Sequence, residues 1–186
     1  MNNDHNQMAL SGAAGFDNKR YVAVDIETTG FSASSDKITE IGAVRIEGGN
    51  ITEGFSKLIN PGIPIPQKIT MITGITDSMV KGKPSIEDVL PLFLRFCSGC
   101  AIIAHNAKFD MGFIKYNAAK HGLACDFEIH DTLAIARRLF PRLINHKLDT
   151  VANHLGVDIS GHHRAEHDAR ATAQIFLKCM ELCKGN

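Results

Sequence analysis

The chain has 186 residues, 44% hydrophobic and 22% charged, which suffices for one well-buried core and suggests a single domain. Lysine plus arginine and aspartate plus glutamate number 20 each, so no basic excess exists to wrap a long duplex, although contact with a short stretch of nucleic-acid backbone stays open. No run approaches the roughly 20 apolar residues of a membrane span, and Met1 to Asn18, with neither a basic start nor an apolar centre, is expected to be a polar tail (1–18) ahead of a domain at 19–186.

In chain order, Tyr21–Ile26 reads as a buried strand, and Ile38–Ile46 and Ile51–Ile59 as two more, joined by the Glu-Gly-Gly-Asn turn at 47–50. Pro61, Pro64, Pro66 and Pro84 then mark an irregular passage, in which Ile69–Thr76 is expected to form a helical turn or two and a loop. From Ser85 the pattern alternates: helix Ile86–Phe96, strand Ala101–Ala104, helix Ala107–His121, strand Phe127–Ile129 and helix Thr132–Leu139. Lys147–Leu155 and a long helix Ala165–Cys183 close the chain. Crossover helices between short apolar strands imply parallel members, here joined to antiparallel hairpins in one mixed sheet flanked by helices.

The five cysteines (97, 100, 125, 179 and 183) are odd in number in a chain that needs no staples, which suggests a reducing, cytoplasmic setting. Cys97 and Cys100 have the spacing of half a zinc site, but the helical pattern around Cys179 and Cys183 offers no second half, so buried thiols are expected. Arg137, Arg138, Arg142 and Lys147 form the most basic stretch, either a solvated surface or a set of phosphate contacts beside a site.

The acids carry most information. Asp25 and Glu27 lie two apart in a strand, so both carboxylates share one face while Val24 and Ile26 take the other. Two like charges there call for compensation, which divalent cations supply; a solvent-facing strand edge is the plain alternative. Gly30 lets the chain turn close to whatever occupies the site, and Thr28, Thr29 and the amides around them are candidates to hold a terminal nucleotide, or belong to an ordinary turn. Asp110 follows the short strand 101–104 in the first turns of a helix, where sheets with crossover helices bind ligands, though an acid there also suits the helix dipole. Asp168 sits in His162-His-Arg-Ala-Glu-His-Asp168. His163 is five residues earlier, about 500° away in a continuous helix, so it is expected in the loop entering the helix, turned back toward the carboxylates; His167, about 100° from Asp168, should face elsewhere. Small residues at 165, 169, 171 and 173 should let this helix approach the sheet closely. Hard oxygen donors favour Mg²⁺ or Mn²⁺ over zinc.

Val24-Asp-Ile-Glu-Thr-Thr-Gly30, His105-Asn-Ala-Lys-Phe-Asp110 and His163-Arg-Ala-Glu-His-Asp168 together resemble the three blocks of the histidine-type four-acid (DEDDh) 3′→5′ exonucleases, and more closely the proofreading exonucleases of bacterial DNA polymerase III. The resemblance spans about Arg20 to Cys183. It implies an α/β, ribonuclease H-like fold in which Asp25 bridges two divalent cations, Glu27 and Asp168 complete one, Asp110 holds the other and His163 is the general base. In a sister class a tyrosine stands four positions before the last acid; here that position is Arg164. The same blocks place His105, Asn106 and Phe109 with Thr28, Thr29 and Gly30 at the substrate end, and Ile72–Thr76 resembles a further segment near it. Asp131-Thr132 matches a recurrent pair, though a helix N-cap explains Asp131 adequately. The expected activity is removal of nucleoside 5′-monophosphates from a single-stranded or frayed DNA 3′ end, free or beside a DNA polymerase, with no membrane partner. The same machinery acting on RNA or short oligonucleotides is the nearer alternative, and a non-catalytic polymerase-associated scaffold, disfavoured because all four acids are present, the more distant one.

Overall fold

The computed structural model describes residues 19–159 and 164–184; the expected tail at 1–18, His162 and His163 lie outside the described residues. Five strands form one sheet in the order β3-β2-β1-β4-β5. β1 (Tyr21–Thr28), β2 (Ile38–Glu47) and β3 (Asn50–Leu58) are antiparallel neighbours, whereas β4 (Ala101–Ala104) and β5 (Ile129–Asp131) join β1 in parallel. The β2–β3 turn runs through Gly48 and Gly49, both at positive φ (55° and 78°), the backbone that a tight hairpin demands at its two central residues.

β1 is the middle strand, and its alternation divides the core. Val22, Val24 and Ile26 pack with α3 (Ile86–Phe96) and α4 (Ala107–Lys120) on one face. Tyr21 and Ala23 pack on the other against α5 (Thr132–Leu139), α6 (Leu148–Leu155) and α7 (Ala165–Lys184). With period 2, Asp25 and Glu27 continue the second face beyond its apolar part, so they meet the start of α7 rather than its buried middle. In the proline-rich passage α1 (Gln67–Thr73) and α2 (Asp77–Val80) enclose a small separate cluster of Ile65, Ile69, Ile75 and Val80.

α7 lies close on the sheet because of what is missing at the contact. A Cβ on Gly42 of β2 would run into the backbone of Ala165 and Glu166, so only glycine admits the helix start at this distance. Ala165, Ala169, Ala171 and Ala173 are all buried, as their small size led us to expect. β5 sits two residues later than the expected 127–129. Its parallel pairing of Ile102 with Ile129 and Ala104 with Asp131 carries the strand into polar residues, and Asp131 is at once the last strand residue and the N-cap of α5. Periodicity missed this because strand and cap overlap in one residue.

Candidate active site

Three chain segments meet at the end of β1. Asp25 and Glu27 come from the strand and Asp168 from the first turn of α7, and one ligand atom from each lies within 4.8 Å of the others, a spacing that fits cation binding. Asp110, 3% exposed, enters from α4; its Oδ1 accepts the N–H of Ile26 at 3.2 Å, which ties α4 to the strand between the two acids. The four acids expected from the sequence are therefore brought together. A bulge flanks them: Glu27 pairs with Glu40 but Thr28 with Ile38, leaving Thr39 as an extra residue in β2.

The charges oppose one another. Burial, then the charges of Asp110, Glu27 and Asp168, push the Asp25 carboxyl well above its ordinary range. Burial, then Asp168 and Glu40, raises Glu27 to about 8, and burial raises Asp110 to about 8 against the opposing effect of its backbone hydrogen bonds. Such a cluster of oxygen donors fits hard divalent cations, whose charge offsets the repulsion.

Glu40 was not singled out by sequence. Its side chain is 1% exposed and lies beside Glu27, yet both oxygens are occupied: Arg164 donates Nη2–H to Oε1 at 2.8 Å and Nε–H to Oε2 at 3.2 Å, and Ala165 donates its backbone N–H to Oε2 at 3.3 Å. Glu40 thus clamps the residues entering α7 against β2 instead of joining the open carboxylates. Its legible signal was an acid in an otherwise apolar strand, Ile38-Thr-Glu-Ile, which demands a buried partner. α7 begins at Ala165, so His163 precedes it in the chain; His167 is exposed and Asp168 buried, the opposite orientations expected of helical neighbours.

The other expected site residues divide. Asn106 and Phe109 line a cleft of about 300 Å³ together with Phe31, Ala33, Lys108, Gly112 and Phe113. Phe31, 76% exposed, faces Phe109 at 6.5 Å between ring centroids, and Phe109 meets Phe113 at 5.2 Å. Phe31 and Phe113 were missed because they follow Gly30 and Asp110 outside the acidic pattern. Asn106 is the one described non-glycine residue at positive φ (68°); its N–H donates to Asp131 Oδ1 at 3.0 Å, and the same oxygen caps Leu133 N–H at 2.9 Å. Asp131 is the expected N-cap, and it also braces the turn that presents Asn106.

Four residues of the expected substrate end are spent within the protein. Thr28 and Thr29 are buried, with Thr28 Oγ1 donating to the Gly30 carbonyl at 2.5 Å and Thr29 Oγ1 accepting from Lys37 N–H at 3.0 Å. The close neighbour for which Gly30 makes room is the carboxylate of Asp36, on which any Cβ would collide, rather than a ligand. His105 uses both ring nitrogens: Nε2 lies 2.9 Å from the His146 carbonyl and Nδ1 2.9 Å from Thr132 Oγ1. Burial lowers the His105 pKa, so the ring is neutral and donates from Nε2 to the carbonyl. Cys97 and Cys100 are buried, and burial with the neighbouring Cys100 and Cys125 pushes the Cys97 thiol far up, as befits packing groups. No described helix is long and apolar enough to cross a membrane.

Fold and acid cluster define a class, and residues 22–176 match the family described as Exonuclease. The chain is 50% identical over 161 residues to the "DNA polymerase III PolC-type" protein of Caldanaerobacter subterraneus subsp. tengcongensis, covering 87% of this chain and 12% of that one. It is 41% identical over 162 residues to the "DNA polymerase III subunit epsilon" of Aquifex aeolicus, covering 87% of this chain and 80% of that one. Among solved structures, "Exonuclease X in complex with 5′ overhanging duplex DNA" superposes with a TM-score of 0.71 at 30% identity, covering 87% and 92% of the two chains. The chain belongs to the exonuclease family, with a mixed five-stranded sheet of ribonuclease H-like form. It spans about an eighth of its PolC-type relatives and most of the epsilon relative.

Proposed function

We propose that the chain is a divalent-metal-dependent 3′→5′ exonuclease that releases nucleoside 5′-monophosphates from single-stranded or frayed DNA ends, in proofreading or repair and in the cytoplasm. The observation that carries this reading is the meeting of Asp25, Glu27 and Asp168 within 4.8 Å, with Asp110 tied to the same strand from α4. Asp25, Glu27, Asp168 and Asp110 would hold two cations, Mg²⁺ or Mn²⁺; such a pair lowers the pKa of water and neutralises charge on a phosphodiester.

The protein's own groups do the rest. The exposed Phe31 and the half-buried Phe109 offer π faces to a terminal base, and stacking of that kind accepts any base but requires an unpaired one. Asn106 orients the terminal sugar and phosphate, while His105 acts at one remove by fixing the turn. His163, two residues ahead of α7 in the chain, takes the proton from the attacking water; an imidazole with an ordinary pKa near 6.5 does this at neutral pH. The 3′ oxygen of the shortened strand leaves as the bond between it and phosphorus breaks. The similarity to polymerase III proteins supports a polymerase as partner.

The test compares a 3′-labelled DNA single strand, the matching RNA strand and a DNA duplex with a 3′ mismatch, all with Mn²⁺. DNA should be shortened faster than RNA, and the mismatched end faster than a paired one. Faster shortening of RNA would replace this substrate by the RNA alternative, the 2′-hydroxyl being what distinguishes the two strands.

A further inference from the structure

Between Asp131 and Asp149 the chain carries Arg137, Arg138, Arg142 and Lys147 and no acid, in a molecule whose charges balance as a whole. All four cations are exposed, and none has an ion pair among the described residues. Arg137 and Arg138 occupy the last turn of α5, where the helix dipole also favours cations. Arg142 and Lys147 lie in the connection to α6, to which that argument does not extend.

The connection is built, not loose. His146 Nε2 lies 3.0 Å from the Phe140 carbonyl, the Asn145 carboxamide oxygen accepts from Lys147 N–H at 3.0 Å and Thr150 Oγ1 at 2.8 Å, and Phe140 and Leu143 pack on the core. Its carbonyl at His146 is held by His105, the residue before Asn106 of the cleft, so the basic surface is anchored directly to the site. At the tip, between these cations, Ile144 is 93% exposed. Unpaired cations on a hydrogen-bonded connection tied to the cleft, around an exposed apolar side chain, match a chain of phosphates with bases between them.

Resting on the activity proposed above, we propose that the α5–α6 connection, with Arg138, Arg142 and Lys147, is a docking surface for the phosphate backbone of the substrate strand 5′ to the bond that is cut. A strand entering the cleft needs a continuation, and multiple phosphate contacts confer affinity without base preference.

The triple variant Arg138→Ala/Arg142→Ala/Lys147→Ala tests it, with circular dichroism to check the fold and Arg142→Gln/Lys147→Gln as a milder second variant. Two readouts are needed: hydrolysis of a 3′-end oligonucleotide beside thymidine 5′-(p-nitrophenyl phosphate), which has one phosphodiester only, and fluorescence anisotropy of the labelled oligonucleotide in Ca²⁺. For the strand, KM should rise about tenfold or more with kcat unchanged, and the slope of log affinity on log salt should flatten by about 2, from ~0.7 per lost contact on single strands. The small ester should be cut as by the wild type. Equal strand affinity and equal salt slopes in variant and wild type would overturn the proposal and leave the surface to a protein partner. Should the wild type cut neither substrate yet lose strand binding on triple substitution, the surface stands and the proposed activity falls.

Discussion

Asp25 exemplifies a residue placed at an energetic cost. Its carboxyl is pushed well above the ordinary range by burial and by Asp110, Glu27 and Asp168, so without cations the folded protein is strained at this point. Asp25→Asn removes one of the opposed charges at nearly constant shape. In metal-free buffer near pH 8 the variant should therefore melt at a higher temperature than the wild type, while its gain in melting temperature from Mn²⁺ shrinks. A lower metal-free melting temperature would show that Asp25 is satisfied by the protein rather than reserved for ions. The histidines differ in the same local way. His163→Ala should lower the single-turnover rate by ~10²-fold or more and flatten the limb of the pH profile on which the base must be neutral, whereas exposed His167 should cost under about tenfold when replaced. Loss of that limb in the His167 variant instead would transfer the base to the helix.

At the scale of elements, the acids of β1 meet Asp168 only because α7 starts where it does. Gly42 and the Glu40 clamp fix that start from β2, one by vacating space and the other by holding Arg164 and the Ala165 N–H. Gly42→Ala should destabilise the protein by about 1–3 kcal/mol, the usual cost of forcing atoms into a packed contact, and should lower metal affinity by moving Asp168. Thermal melts and Mn²⁺ titration check both effects; unchanged Mn²⁺ affinity alongside a lower melting temperature would separate α7 placement from the site. Elements of this kind were legible where one physical signal ruled them. Helix Ile86–Phe96 and strand Ala101–Ala104 have the expected bounds because apolar period and turn residues agree there. β5 did not, since pairing with β4 and capping of α5 outweigh its polar content. The four acids were legible as a spaced pattern and Glu40 as an acid in an apolar strand, though its partners Arg164 and Ala165 were not, while Phe31 and Phe113 emerge only from ring contacts that no local spacing encodes.

For the whole molecule, the acid cluster links stability to pH and metal. Glu27 and Asp110 both titrate at about 8 in the folded protein, against ordinary values of 4.5 and 3.8. Between those limits the folded state holds protons that the unfolded chain has released. Stability is therefore undiminished by these groups below about pH 4, declines as pH rises, and bears the full penalty above about pH 8. In EDTA the melting temperature should fall from about pH 5 to about pH 8, and saturating Mn²⁺ should raise it more at the upper end than at the lower. A melting temperature that climbs with pH in EDTA, or an equal gain from Mn²⁺ at both ends, would contradict the linkage.

The central claim, that four converging carboxylates cut nucleotides from a 3′ end, is tested most directly by one gel. A 5′-labelled DNA single strand is incubated with Mn²⁺ and either the wild-type chain or Asp25→Ala, and the products are resolved over time beside a chromatographic analysis of released nucleotide. The account predicts a ladder shortening one nucleotide at a time from the 3′ end, nucleoside 5′-monophosphate as the released product, and neither with Asp25→Ala, whose circular dichroism matches the wild type. Internal cuts, loss of label from the 5′ end, or substantial turnover by the alanine variant would contradict it.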